Sequence, residues 1–161
     1  YMEKLEILWL DDQRDPVRFF KSKPDSGAKR RMFDFYNNNI FNNYDVNFVW
    51  VKSYEEFVNY IETNGVPKFI SFDYDLKNAR SNIEGKLPNG GDCAKWLIKY
   101  CEKKGIPMPQ CYAHTANTKQ RPELCSILGI NESKEHSIKV TENELKMIIN
   151  ECVRQTLHEI L

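Results

Sequence analysis

The feature of the sequence that most constrains the fold is the run from residue 69 to residue 76, Phe-Ile-Ser-Phe-Asp-Tyr-Asp-Leu. Its first four residues suit a strand buried inside a parallel sheet, and the carboxylates Asp73 and Asp75 follow at once. In open α/β sheets, ligands bind at the carboxyl ends of the strands, and buried acids there need a partner such as a metal ion. The run therefore predicts a parallel sheet with a candidate site where this strand ends. Capping of a loop is the simpler interpretation for one Asp alone.

Polar residues also follow the other predicted strands. The strand 5–10 ends in Asp11 and Asp12; the strand 110–113 runs into His114, Thr115, Ala116 and Asn117; the strand 136–140 carries Lys139 near its end. The carboxyl ends of parallel strands meet at one edge of a sheet, so these residues are expected to lie together. The repetition favours a functional site over loop capping.

Helical patterns separate the strands. Ser53 and Glu56 form a capping-box pattern after the strand 46–51, and Asp92 is predicted to cap the next helix. A weaker helix is expected over 117–129 and a last helix over 141–160. Strands that alternate with helices through short joints predict right-handed crossovers. We therefore expect a flavodoxin-like, doubly wound α/β fold with five parallel strands in the order 2-1-3-4-5.

Two segments interrupt this alternation. The segment 16–45 is rich in basic and aromatic residues and is read either as a flap that touches a nucleobase or phosphate, or as a helix and loop whose aromatic residues join the core. Packing is the favoured interpretation, and Asn37–Asn43 is expected to be a polar loop. The Gly- and Pro-punctuated segment 77–91 is expected to be a flexible loop, either a lid over the site or a loop without function.

Composition sets the class of protein. The 161 residues, 41% of them hydrophobic, suit a single domain over 1–161. Lys and Arg number 23, as do Asp and Glu, so no global field attracts duplex DNA or a membrane. We expect a cytoplasmic protein, because the chain shows no membrane-spanning run and five cysteines without zinc spacing. The oligomeric state stays open.

The ordered polar residues resemble the response-regulator receiver family. That family has an acidic pair after strand one, an Asp after strand three, a Thr or Ser followed by Ala after strand four, and a Lys after strand five. The corresponding residues here are Asp11-Asp12, Asp73, Thr115-Ala116 and Lys139. Asp75, His114, Val140 in place of the usual Pro, and the long segment 16–45 depart from the receiver pattern.

These departures resemble the cyclic-phosphate-processing receiver-like family. Its pattern includes a Phe-Asp-His-Asp-Leu strand end and a His-Ser-Ala-Asn turn. This chain has Phe72-Asp73-Tyr74-Asp75-Leu76 and His114-Thr115-Ala116-Asn117, with Arg121 shortly after. Tyr74 replaces the His of the family. The resemblance implies processing of cyclic phosphate termini or nucleotides.

A metal ion is the expected cofactor. Asp11, Asp12 and Asp73 would repel one another unless a cation lay among them, and a hard ion, Mg²⁺ or Mn²⁺, prefers oxygen ligands. Asp12 and Asp73 are predicted as direct ligands, Asp11 as a ligand through water, and Asp75 as a further ligand or a base. The alternative is that nearby Lys and Arg residues neutralise the acids.

A phosphate on that ion would meet Thr115, Asn117, Arg121 and Lys139, which are predicted phosphate ligands. The partner would be a phosphorylated small molecule, a cyclic nucleotide or an RNA end. Asp73, Asp75 and His114 are the predicted catalytic residues of a metal-dependent phosphoesterase, with His114 as a proton donor. The alternatives are a phosphoacceptor receiver, in which Asp73 becomes phosphorylated, and a degenerate receiver that acts as a binding module.

Overall fold

Four parallel strands form the sheet in the part of the chain that the structure describes. The structure is a computed structural model that describes residues 1–77 and 86–131. The strands are β1 (Glu3–Leu10), β2 (Tyr44–Val51), β3 (Phe69–Phe72) and β4 (Gln110–Ala113). All neighbours pair in parallel, and the order is β2-β1-β3-β4. This confirms the predicted order for four strands. The predicted strand 136–140 with Lys139, the predicted helix 141–160 and most of the predicted loop 77–91 lie outside the described residues.

Five α-helices accompany these strands within residues 1–77 and 86–131. They are α1 (Pro16–Lys21), α2 (Gly27–Tyr36), α3 (Tyr54–Asn64), α4 (Gly90–Lys104) and α5 (Arg121–Leu128). The Ser53 side chain caps α3 by accepting a hydrogen bond from the Glu56 N–H, as the capping-box pattern predicts. None of the described helices is long and apolar enough to cross a membrane.

The predicted start of α4 is wrong by three residues. Asn89, not Asp92, caps the helix: its side-chain oxygen accepts from the Asp92 N–H at 3.0 Å. The Asp92 carboxylate accepts in return from the Asn89 N–H at 2.9 Å. Asp and Asn both satisfy free amides, so the sequence alone did not distinguish the cap from the acid three residues later. The earlier start brings Gly90 against the end of β3, where the backbone N–H of Gly90 donates to the Tyr74 carbonyl.

The sheet has a core on each face. Successive β1 side chains point to opposite faces and so belong to different cores. Leu8 and Leu10 pack in the core with α3, α4 and α5, whereas Ile7 and Trp9 pack in the core with α2. Ile70 and Phe72 of β3 join the first core. A sheet covered on both faces is what the near-continuous apolar strands predict.

The aromatic residues of the segment 16–45 lie in the second core. The rings of Phe19, Phe20 and Tyr36 surround Trp9, with centroids 5.6 to 6.3 Å from the Trp9 ring. The packing interpretation therefore holds for these rings. The predicted Asn-rich loop is instead a π-helical turn, Asn37–Phe41, because Ile40 is buried in the core and the Asn39 and Asn43 amides donate to the Phe35 and Asn39 carbonyls.

Candidate active site

Three buried carboxylates meet at the carboxyl edge of the sheet. β1 and β3 are neighbours, so Asp11 and Asp12 at the end of β1 lie beside Asp73 at the end of β3. One carboxylate oxygen from each acid lies within 4.8 Å of the other two. All three residues are at least nine-tenths buried. Bringing three acids this close, away from bulk water, requires positive charge nearby.

The Asp11 carboxylate is fully occupied by protein donors. Its Oδ1 accepts from the N–H groups of Gln13 and Arg14, both at 2.9 Å. Its Oδ2 accepts from Arg14 Nε at 2.7 Å and lies 3.1 Å from His114 Nε2. Burial alone would raise the pKa of Asp11, but the hydrogen bond with His114, the charge of Arg14 and the Gln13 amide lower it to about 2. Four donors fill the acceptor positions of a carboxylate, so Asp11 supports the site rather than offering an open ligand atom.

Arg14 is a cation built into the acidic cluster. Besides its contact with Asp11, its Nη2 lies 3.2 Å from Asp73 Oδ2. Arg14 therefore supports in part the alternative interpretation, in which basic residues neutralise the acids. Its guanidinium, which contacts both Asp11 and Asp73, offsets part of the negative charge of the cluster. Burial raises the pKa of Asp73 even though the charges of His114 and Arg14 act in the opposite direction.

His114 lies beneath the cluster and does not face solvent. Its ring stacks on Trp9 with centroids 3.7 Å apart and planes 7° from parallel, and its side chain is fully buried. Nδ1 lies 2.7 Å from Ser71 Oγ, while Nε2 faces Asp11. Burial lowers the pKa of His114, which favours the neutral ring. Direct proton donation to a substrate, the role predicted for His114, needs an accessible nitrogen, and this geometry supports positioning of Asp11 instead.

Tyr36 completes a buried hydrogen-bond chain. Its O–H donates to Ser71 Oγ at 2.7 Å. The single Ser71 proton can therefore point to His114 Nδ1, so that Nε2–H donates to the Asp11 carboxylate. The segment 16–45, which contributes Tyr36, thus reaches the site from the aromatic core. Ser71 was missed in the sequence, because its place in a buried strand indicates packing.

A cavity opens above the acids. It has a volume of about 310 Å³, and nine residues line it: Asp12, Gln13, Arg14, Asp73, Asp75, Lys77, Thr115, Ala116 and Asn117. Asp75 and Asn117 meet across it, the Asn117 amide donating to Asp75 Oδ2 at 3.0 Å. Thr115 lies beside Asp73 in this lining, and its side chain acts to lower the pKa of the Asp73 carboxylate. The structure thus brings Asp75, Thr115 and Asn117 to the acidic cluster, as their strand-end positions predict.

Arg121 and Tyr74, which the motifs also single out, lie outside this cavity lining. Arg121 is absent from the cavity lining among the described residues, and its guanidinium lies 5.9 Å from the Tyr112 ring centroid. The Tyr74 hydroxyl contacts Glu123 and Asn89, on the side of α5 and α4. Arg14 and Gln13 were missed in the sequence. The only available indication was that Arg14 follows Asp11 by three residues in a turn.

A parallel sheet in the order 2-1-3-4, with acids at the ends of strands one and three, defines a receiver-like α/β domain. The sequence matches the family described as the cyclic-phosphate processing receiver domain over residues 6–129. The chain belongs to that family, and the resemblance seen in its motifs is confirmed.

No curated protein matches the chain. A solved structure described as a fusion of the yeast Spc42 trimeric coiled coil shares 14% sequence identity with it. The similarity covers 94% of this chain and 97% of the other, with a TM-score of 0.38. A likeness at that level supports no conclusion about this protein.

Proposed function

We propose that the protein is a metal-dependent phosphoesterase that opens cyclic phosphates, either 2′,3′-cyclic phosphate ends or cyclic nucleotides. The observation that carries the proposal is the buried cluster of Asp11, Asp12 and Asp73 at the floor of an open cavity. Membership of a family described by cyclic-phosphate processing supports the substrate class.

The donor set fits a divalent cation. Asp12 and Asp73 both line the cavity and supply carboxylate oxygens, which are the ligands that Mg²⁺ and Mn²⁺ prefer. Asp11 would not ligate the ion directly, because its oxygens already accept four hydrogen bonds, but its negative charge would still attract the ion. When bound, the ion would polarise the phosphorus centre and activate water.

The cavity residues would then hold the phosphate and move the proton. The Thr115 hydroxyl and the Asn117 amide are donors beside the acids and would bind phosphoryl oxygens. Asp75 is exposed at the same wall and would take a proton from the attacking water. As water adds to phosphorus, one ribose P–O bond breaks and the departing oxygen receives the proton, which gives a phosphate monoester. Lys139, outside the described residues, stays a predicted phosphate ligand.

Turnover of a nucleoside 2′,3′-cyclic phosphate in Mg²⁺ or Mn²⁺ tests this proposal. Asp73→Asn should lower the rate by about a hundredfold or more, and a chelator should do the same to the wild type. The exposed Asp34→Asn removes a carboxylate outside the cluster and should leave the rate unchanged. Equal turnover by the wild type, Asp73→Asn and the chelated protein would contradict the assignment.

The second candidate is a phosphoacceptor receiver. It is favoured by the position of Asp73 directly after β3, in the same cavity lining as Thr115, which follows the neighbouring strand β4. In that case acetyl phosphate would transfer its phosphoryl group to the Asp73 carboxylate and release acetate. A phosphoprotein band lost in Asp73→Asn, without turnover of cyclic phosphates, would favour this function. A binding module without metal predicts neither result.

A further inference from the structure

A second recess adjoins the acidic cavity. It has a volume of about 500 Å³ and is lined by Gln13, Arg14, Asp15, Arg18, Phe19 and Trp50. Gln13 and Arg14 line both recesses, so the two share a wall. We propose that this recess binds the nucleoside part of a nucleotide whose phosphate lies in the acidic cavity. The inference rests on the proposed function and names its substrate as a nucleotide rather than any other cyclic phosphate.

The aromatic wall of the recess is fixed in place. The Trp50 indole N–H donates to the Asp11 carbonyl at 2.6 Å, which ties the ring to the backbone that carries the acidic site. The Phe19 ring packs against Trp9 and Phe33, with centroids 5.9 and 5.4 Å apart. Both rings are only partly buried. A preformed aromatic surface beside a phosphate site is suited to stacking of a base.

Charge around the recess favours a phosphorylated ligand. The Arg14 guanidinium stands between the two cavities, and Arg18 has no ion-pair partner among residues 1–77 and 86–131. Asp15, the acid in the lining, is engaged because its side chain accepts hydrogen bonds from the Val17 and Arg18 N–H groups that open α1. The recess therefore presents guanidinium donors and π faces together, which suits a nucleotide and disfavours a cationic ligand.

Cations lie over both rings: the Lys52 ammonium is 4.1 Å from the Trp50 ring centroid, and the Lys29 ammonium and Arg14 guanidinium are 5.3 and 5.9 Å from the Phe19 ring centroid. Trp50 therefore carries the proposed stacking, and Lys52 is the group that a base would have to displace from it. Lys52 is exposed, and an exposed cation–π pair is weaker than base stacking. A base would therefore displace the lysine, which has four rotatable bonds and open solvent beside it.

A third recess offers a matched control. It has a volume of about 420 Å³ and is lined by Glu62, Trp96, Lys99, Tyr100, Lys103 and Lys104. Like the proposed subsite, it combines a Trp with cations. It shares no lining residue with the acidic cavity, so a phosphate in that cavity would not direct a base into it.

Equilibrium binding without turnover tests the inference. The full protein is titrated calorimetrically, in Mg²⁺, with adenosine 2′-monophosphate and with ribose 2-phosphate, which lacks the base. The wild type should bind the nucleotide about tenfold more tightly or better, the size expected for one stacked base. Trp50→Leu should bring this ratio close to one. Arg18→Gln should weaken binding of adenosine 2′-monophosphate but not binding of ribose 2-phosphate. Trp96→Leu should keep the wild-type ratio of the two affinities.

The ratio within each variant removes general damage from the comparison, which matters because Trp50 also supports the Asp11 carbonyl. A wild-type ratio near one, or equal loss in Trp50→Leu and Trp96→Leu, would overturn the subsite. If the protein hydrolyses cyclic phosphates but binds the nucleotide no more tightly than ribose 2-phosphate, the proposed function is supported and the nucleoside subsite is contradicted. If the protein binds the nucleotide more tightly in a way that depends on Trp50 but hydrolyses no cyclic phosphate, the nucleoside subsite is supported and the proposed function is contradicted.

Discussion

Gly90 is the position at which one added carbon should disturb the site most. It is the first residue of α4, and a Cβ there would lie 1.8 Å from the Asp73 carbonyl oxygen and 2.8 Å from the Asp73 carbonyl carbon. Real Cβ atoms keep at least 3.0 Å from such neighbours, so the backbones must separate by at least 1.2 Å (3.0 minus 1.8). Both neighbours are backbone atoms, which no side-chain rotation relieves.

The displacement required by Gly90→Ala exceeds what a metal site tolerates. Ligand distances must hold within about 0.2 Å, and a misplacement of about 1 Å can cost a hundredfold in rate. Overpacking of this kind also costs about 2–3 kcal/mol of unfolding free energy. We therefore expect Gly90→Ala to lose that much stability in urea unfolding and to lower turnover of a cyclic phosphate by about a hundredfold.

Gly91→Ala is the matched control. A Cβ at Gly91 would meet only side-chain atoms, of Asn89, Ile127 and Tyr74, at 3.0 to 3.4 Å. Ile127 and Tyr74 can adjust, and at most the Asn89 cap of α4 is weakened, so Gly91→Ala should cost no more than about 1 kcal/mol. If Gly90→Ala matched Gly91→Ala in both unfolding free energy and turnover, the close approach of α4 to Asp73 would not exist as described.

Three further predictions concern the buried network. The pKa of Asp11 falls from 3.8 to about 2, so its carboxylate stabilises the fold above pH 3.8 and loses that effect as the pH falls towards 2. Asp11→Asn should therefore cost about 2 kcal/mol at pH 7, with a flatter urea-stability profile between pH 5 and 2; a parallel profile would contradict this. The pKa of Asp73 is raised by burial, so its ionised form costs stability as the pH rises through that pKa. Asp73→Asn should accordingly stabilise the metal-free protein at pH 7, and a loss of stability there would refute the prediction. Ser71→Ala removes the donor to His114 Nδ1 and should cost about 1–3 kcal/mol with a changed His114 nitrogen NMR spectrum, whereas exposed Ser126→Ala should do neither.

The topology and the acidic cluster could be predicted because each depends on strand ends. Strands that alternate with helices restrict the order of a parallel sheet, and acids directly after β1 and β3 must then share an edge. The same reasoning placed Asp75, Thr115 and Asn117 at the cavity. None of these inferences required knowledge of side-chain rotamers.

The chemistry within the cluster depended on packing that a sequence does not display. His114 follows β4, but its ring stacks beneath Trp9, which removes it from solvent. Arg14 reaches two acids because the turn after Asp11 folds back on that carboxylate. Ser71 looks like one small residue in an apolar strand, and its role emerges only with Tyr36 brought from 35 positions away.

The proposed function requires a divalent cation at Asp12 and Asp73. Mn²⁺ titration followed by electron paramagnetic resonance, with Mg²⁺ as competitor, measures this without any substrate. We predict that the wild type binds one Mn²⁺ per chain and that Mg²⁺ displaces it. Asp12→Asn and Asp73→Asn should lose this binding, whereas Asp34→Asn should retain it. Absence of binding to the wild type, or unchanged binding in Asp12→Asn and Asp73→Asn, would contradict the account.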